Sequence, residues 1–123
     1  MLQIDGKKIG PSYPPYVIAE GGLNHNGDMK IAKKMIEEAA ESGADAIKFQ
    51  TYKTEEFLRK SSQYFDVFKK VELSFEDFGE LKDYSKNCGI TFFSTPFDIE
   101  SAGFLERIDV PCFKIARSGR AHV

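Results

Sequence analysis

Cysteine is scarce in this chain, with only Cys88 and Cys112 among 123 residues. Neither has a CxxC partner and both sit among apolar neighbours. A disulfide framework or a metal cluster is therefore not expected, and the two read as buried thiols in a reducing cytoplasm. Long apolar runs are missing as well. No stretch approaches the roughly 18 residues that mark a membrane span. Residues 1–6 carry no apolar h-region, so no signal peptide is expected. An excess of one charge is also missing, because 17 basic residues against 19 acidic ones leave a net charge of -2. Nucleic-acid-binding domains of this size are usually basic, which demotes that class. There is no internal repeat, no low-complexity segment, no GxGxxG and no P-loop pattern. What is present is ordinary globular composition, 41% hydrophobic and 29% charged, which excludes a disordered chain.

Strand and helix signals alternate. Gln3-Ile4 and Lys8-Ile9 flank Asp5-Gly6, a dipeptide that accepts a tight turn, so residues 1–10 read as a small hairpin. Pro11, Pro14 and Pro15 form a stiff connector to a first strand at 16–20. Asp28 caps a helix whose apolar positions, Ile31, Ala32, Met35, Ile36, Ala39 and Ala40, share one face of a 3.6-residue period. Gly43 ends it, and 44–50 is a second strand. The mixed segment 51–72 is long for a plain connection. Ser74 and Asp77 have capping-box spacing, with Leu73 and Phe78 placed as a hydrophobic staple, and that helix runs to Gly89. A third strand at 90–94, a helix capped by Asp98 and a fourth strand at 112–116 complete the pattern. The βα units from about 16 to 116 predict an α/β fold with parallel strands, either a doubly wound sheet or part of a (β/α)8 barrel. Four strands are too few to close such a barrel.

Strands covered on both faces of a parallel sheet should be almost wholly apolar. Here Glu20, Lys48, Gln50 and Lys114 each sit on the face opposite the apolar positions of their strands, and Thr95 lies at the end of the third. Ligands bind at the C-terminal ends of parallel strands. Two lysines and a threonine there suit an anion such as phosphate or carboxylate. Glu20 suits either proton transfer or a bond to a substrate hydroxyl. His25 and Asn26 read as surface loop residues. Phe57, Tyr64, Phe65 and Phe68 read as packing for the long segment.

Four stretches then form a pattern: Val17-Ile18-Ala19-Glu20-Gly21-Gly22-Leu23-Asn24-His25-Asn26-Gly27-Asp28, Gly43-Ala44-Asp45-Ala46-Ile47-Lys48-Phe49-Gln50-Thr51, Phe93-Ser94-Thr95-Pro96-Phe97-Asp98, and Val110-Pro111-Cys112-Phe113-Lys114-Ile115-Ala116. In order and spacing they resemble the N-acetylneuraminate (sialic acid) synthase family. The resemblance implies the N-terminal half of a (β/α)8 barrel, in a family whose members also carry a small antifreeze-like domain. It implies condensation of phosphoenolpyruvate with an N-acylated amino-sugar aldehyde to a nine-carbon 2-keto acid, with release of phosphate. It implies a divalent metal, manganese or magnesium, in the full-length enzyme, held by histidines further along the chain, with no metal held by these residues. By motif match Lys48, Gln50, Thr95 and Lys114 would hold phosphoenolpyruvate, and Glu20 would be catalytic, near the sugar and the attacking water. The family continues its fourth strand as Lys-Ile-Ala-Ser-Gly-Glu, whereas Arg117 follows Ala116 here and Arg120 stands near the acidic position, so 117–123 reads as an atypical tail. Neither His25 nor His122 replaces the metal histidines. A chain limited to these residues is expected to be inactive alone, cytoplasmic and a homodimer, without nucleic-acid or membrane partners. The alternatives are a non-catalytic half-barrel that binds an anion or partner, and a phosphoenolpyruvate aldolase of the 3-deoxy-heptulosonate type. The parent product, sialic, legionaminic or pseudaminic acid, is open.

Overall fold

Residues 2–116 are described by a computed structural model. The tail 117–123, with Arg117, Arg120 and His122, lies outside the described residues. The chain opens with β1 (Leu2–Ile4) and β2 (Lys7–Ile9), an antiparallel hairpin turned by Asp5 (φ 50) and Gly6 (φ 83). Two cross-links fix it against the strands that follow. Thr91 Oγ1 donates to the Asp5 carboxylate at 2.8 Å, and Lys7 pairs with Asp45. Asp45 also accepts from the Val17 N–H at 2.7 Å. The Lys7 ammonium, then the Val17 N–H, holds the Asp45 carboxyl below its ordinary range.

The main body is β3 (Ile18–Gly22), α1 (Met29–Glu41), β4 (Ala46–Thr51), α2 (Thr54–Phe57), α3 (Phe65–Val71), α4 (Phe75–Cys88), β5 (Thr91–Pro96) and α5 (Ile99–Arg107). The strands form a parallel sheet in the sequential order β3-β4-β5, as in a barrel wall. The helices begin where their caps predict. Asp28 accepts from the Lys30 N–H, Ser74 and Asp77 form a reciprocal capping box, and Asp98 accepts from the Ser101 N–H. α1 and α4 pack on each other and, with α5, on one face of the sheet. There Ala32, Ile36, Ile47, Phe49, Phe78, Leu81, Phe92 and Leu105 form the core, and Val110 extends it beyond α5.

The strands sit one to two residues later than the sequence spacing predicts. Pairing starts only where the Val17 carbonyl accepts from the Asp45 and Ala46 N–H groups. Pro96 closes β5 in register with Thr51 instead of breaking the strand before it. The fourth strand predicted at 112–116 is not formed. Its backbone makes one parallel bridge, Ser94 to Phe113, and the Lys114 N–H donates to the Ser94 carbonyl at 3.2 Å. Pro111 brings no N–H to that edge, and no further strand pairs with the outer side among the described residues. Phe113 and Ile115 are exposed and border a hollow beside Ala102 and Gly103 of α5. Cys88 and Cys112, expected to be buried, are half-buried free thiols, and burial pushes the Cys112 thiol up.

The long segment after β4 carries α2 and α3 and is held by aromatic packing. Tyr52 is fully buried, meets Phe57 and Phe68 edge-on at 5.2 and 5.6 Å, and donates its hydroxyl to the Phe68 carbonyl at 2.7 Å. Glu72 accepts from both the Thr54 N–H and its hydroxyl. Tyr64 takes no part and is exposed. No helix among the described residues is long and apolar enough to cross a membrane.

Candidate functional site

The alternation of β4 divides its side chains. Ile47 and Phe49 enter the core, while Lys48 and Gln50 face away from the helices. Register extends that second face across the sheet, since Glu20 lies opposite Lys48 and Thr95 opposite Gln50. The Lys48 ammonium lies 2.7 Å from Glu20 Oε1. The Lys48 side chain is 15% exposed and that of Glu20 is 52% exposed, so the pair has one sheltered and one wet partner. Thr95 is buried.

The end of β3 brings the remaining groups in. Register shifts between Glu20 and Gly22, a bulge that re-aims the chain as it leaves the strand. Gly22 takes φ 55. A Cβ at that residue would lie 3.2 Å from Glu20 Oε2 and 3.9 Å from both Asn24 Nδ2 and Gln50 Nε2. A carboxylate oxygen and two amide nitrogens therefore lie around the bare α-carbon of Gly22, beside Lys48. Sequence reasoning missed Asn24. Its signal was position, two residues past the end of a strand whose polar face already carried Glu20.

Lys114 stands on the same face by register, because its neighbour Phe113 is level with Ser94 on the helix side. Its ammonium turns back to the Ile115 carbonyl at 2.9 Å and makes no ion pair among the described residues. The structure thus gathers Glu20, Lys48 and Gln50, sets Thr95 beside Gln50, and leaves Lys114 at the edge.

His25, expected at the surface, is fully buried in the turn between β3 and α1. Its Nδ1 accepts from the Gly27 N–H at 2.9 Å, and its Nε2 has no partner among the described residues. Burial pushes its pKa below the ordinary 6.5. No group of three or more His, Cys, Asp or Glu side chains that could hold a metal ion occurs among the described residues. A hollow of about 450 Å³ lies elsewhere, at the start of β5. Lys82 and Lys86 share it with Asp5 and Asp109, so it offers no net charge to select a ligand, and Asp5 already bonds Thr91.

Chemically, the arrangement sets an ammonium and two amides beside a carboxylate, a combination able to take an anion. Glu20 is wet enough to release Lys48 at small cost, and an incoming anion then meets the ammonium and the Gln50 and Asn24 amides. The released carboxylate is left beside whatever binds. A parallel sheet in sequential order, with helices on one face and polar side chains on the other, is the pattern of a (β/α)8 barrel segment.

Comparisons with known proteins agree. The NeuB family pattern matches residues 35–122, and the chain belongs to that family. An uncharacterized protein of Methanocaldococcus jannaschii is 50% identical over 94% of this chain and 34% of its own length. The N,N'-diacetyllegionaminic acid synthase of Legionella pneumophila is 40% identical over 89% of this chain and 35% of its own. The solved N-acetylneuraminic acid (sialic acid) synthetase of Leptospira borgpetersenii, in complex with citrate, superposes with a TM-score of 0.87 at 40% identity, over 93% of this chain and 40% of that one. The chain spans about a third of the length of the curated relatives it matches.

Proposed function

We propose that these residues form the phosphoenolpyruvate-holding wall of a sugar-acid synthase. That enzyme joins phosphoenolpyruvate to an N-acylated amino-sugar aldehyde, giving a nine-carbon 2-keto acid and phosphate, in the cytoplasm. The observation that carries the reading is the Lys48–Glu20 pair with Gln50, Asn24 and Thr95 on one polar face at the C-terminal strand ends. In this reading Lys48 binds an anionic group of phosphoenolpyruvate, and Gln50 and Thr95 donate to its oxygens. Lys114 swings from the Ile115 carbonyl to the same ligand. Glu20, displaced from Lys48, accepts a hydroxyl of the sugar or the proton of the attacking water. The described residues do not fit the divalent metal that the resemblance implies, so no step is assigned to it here. The 123 residues alone bind the anion without turnover, because one side of the substrate pocket is open.

The test is a titration of the 123-residue chain with phosphoenolpyruvate and with inorganic phosphate, followed by the side-chain resonances of Lys48 and Gln50. Both ligands shift those signals. K48M weakens binding at least tenfold, and E20Q tightens it by leaving Lys48 uncontested. Unchanged affinity in K48M, or weaker binding in E20Q, refutes the site. Product formation at an enzyme-like rate from phosphoenolpyruvate, an N-acylmannosamine and manganese refutes the inactivity of the isolated wall.

A further inference from the structure

We infer that His25 is a positioning residue, a neutral imidazole that clamps the turn from Gly21 to Asp28 and thereby sets Glu20 against Lys48. The value of that placement to a reaction rests on the anion-site reading above, but the clamp itself stands on geometry.

Three contacts carry it. First, Nδ1 accepts from the Gly27 N–H at 2.9 Å while the His25 carbonyl accepts from the Asp28 N–H at 2.9 Å, so one residue holds both amides that follow Asn26. Asn26 (φ 55) and Gly27 (φ 75) are both left-handed; glycine takes that conformation freely, so the cost falls on Asn26, which the two bonds flank. Gly27 has no room for a side chain, since a Cβ would meet the Lys70 carbonyl at 3.0 Å and Val71 Cα at 3.1 Å. Second, the imidazole lies 6.0 Å from the Phe49 ring, centroid to centroid. Third, Phe49 in turn backs Gly21, where a Cβ would meet Phe49 Cε1 at 2.7 Å. Glu20 is the next residue back along the chain. The path from imidazole to carboxylate is therefore His25, Phe49, Gly21, Glu20.

A fully buried ring with an Nε2–H that lacks an acceptor among the described residues is a poor way to fill space. Leucine would fill it without stranding a donor. What histidine adds is the Nδ1 acceptor. That acceptor requires the proton on Nε2, so the tautomer is specified.

The experiment uses the 123-residue chain. Nitrogen NMR of the wild type reads the tautomer directly, and we expect Nδ1 bare and Nε2 protonated. In H25N the introduced side-chain amide oxygen takes the place of Nδ1 as acceptor, whereas H25Q puts its amide at the Nε2 position and H25L has none. H25N keeps the Glu20 carboxyl and Lys48 ammonium resonances and the slow exchange of the Gly27 amide. H25Q and H25L shift both resonances and speed that exchange at least tenfold. An Nδ1-protonated wild type overturns the inference even where the variants fail to fold. So do Glu20 and Lys48 resonances that stay put in a folded H25L. Loss of phosphate binding by the wild type tells against the anion site and leaves the clamp standing.

Discussion

Gly21→Ala adds one methyl group at the contact between β3 and β4. Two effects oppose each other. Gly21 is not among the residues of positive φ, so alanine is conformationally allowed and its smaller unfolded-state freedom favours folding by about 0.4–1 kcal/mol. The new Cβ, however, would stand 2.7 and 3.0 Å from two carbons of the Phe49 ring and 3.2 Å from the Lys48 carbonyl. Phe49 has no exposed surface and lies between the rings of His25 and Phe92, at 6.0 and 5.9 Å, so it has nowhere to swing. Overpacking of this kind costs about 1–3 kcal/mol. At the middle of both ranges the clash wins by about 1.3 kcal/mol, within the roughly 0–2.6 kcal/mol that their difference spans. Phe49→Leu alone loses about 1–2 kcal/mol by large-to-small truncation. In the double variant the shorter leucine clears the methyl, so the two losses fall short of additive by at least about 1 kcal/mol. Urea unfolding followed by far-ultraviolet circular dichroism measures all four proteins, with equal slopes required for the comparison. A G21A variant as stable as wild type, or strict additivity in the cycle, refutes the argument.

His25 gives a pH signature. Because its folded pKa is below 6.5, the unfolded chain takes up the proton first, so stability is full above about pH 6.5 and declines as pH falls toward the folded value, by up to about 1.4 kcal/mol per unit; H25N removes that part of the slope in urea midpoints measured from pH 7.5 to 5. Thr51→Val strands the Ser94 hydroxyl, which pairs with Thr51 at 2.7 Å in the buried seam between β4 and β5, and costs about 1–3 kcal/mol, part of which returns when Ser94→Ala is added. Ser74→Ala opens the capping box of α4 and lowers stability by about 1 kcal/mol, read as a drop in thermal midpoint.

The caps were legible because each is a local bargain between one side chain and a few N–H groups. Asp28, Ser74 and Asp98 each needed only the residues that follow them. The two faces of β4 were legible for the same reason, since period-two alternation needs no partner to be read. The fourth strand was not. Residues 112–116 have the apolar alternation of a strand, yet a strand exists only by pairing, and one bridge to Ser94 is all they find among the described residues. His25 was misread because composition alone makes a loop histidine among asparagines a surface residue. Its burial follows from Phe49, 24 positions away, and from the close approach of Lys70 and Val71 to Gly27. Asn24 escaped for a related reason, because only the bulge after Glu20 shows where its amide goes.

Core and candidate site are built from alternate residues of the same strand, so whatever sets the register of the core also sets the candidate site. A one-residue slip of β4 would send Lys48 and Gln50 into the helix-covered core and turn Ile47 and Phe49 toward the polar face. Several contacts oppose that slip. The Phe49 ring fits only against a residue without a side chain, and Gly21 supplies it. The Thr51 and Ser94 hydroxyls meet only in the native register, inside the apolar layer, where either alone would be an unmet polar group. The Asp45 bond to the Val17 N–H anchors the opposite end of the β3–β4 pair. Each contact lies outside the polar face, and each determines where Lys48 meets Glu20. Substitutions in the core seam should therefore displace the ion pair before they unfold the chain, since the pair has one half-exposed member and little energy of its own to hold its place.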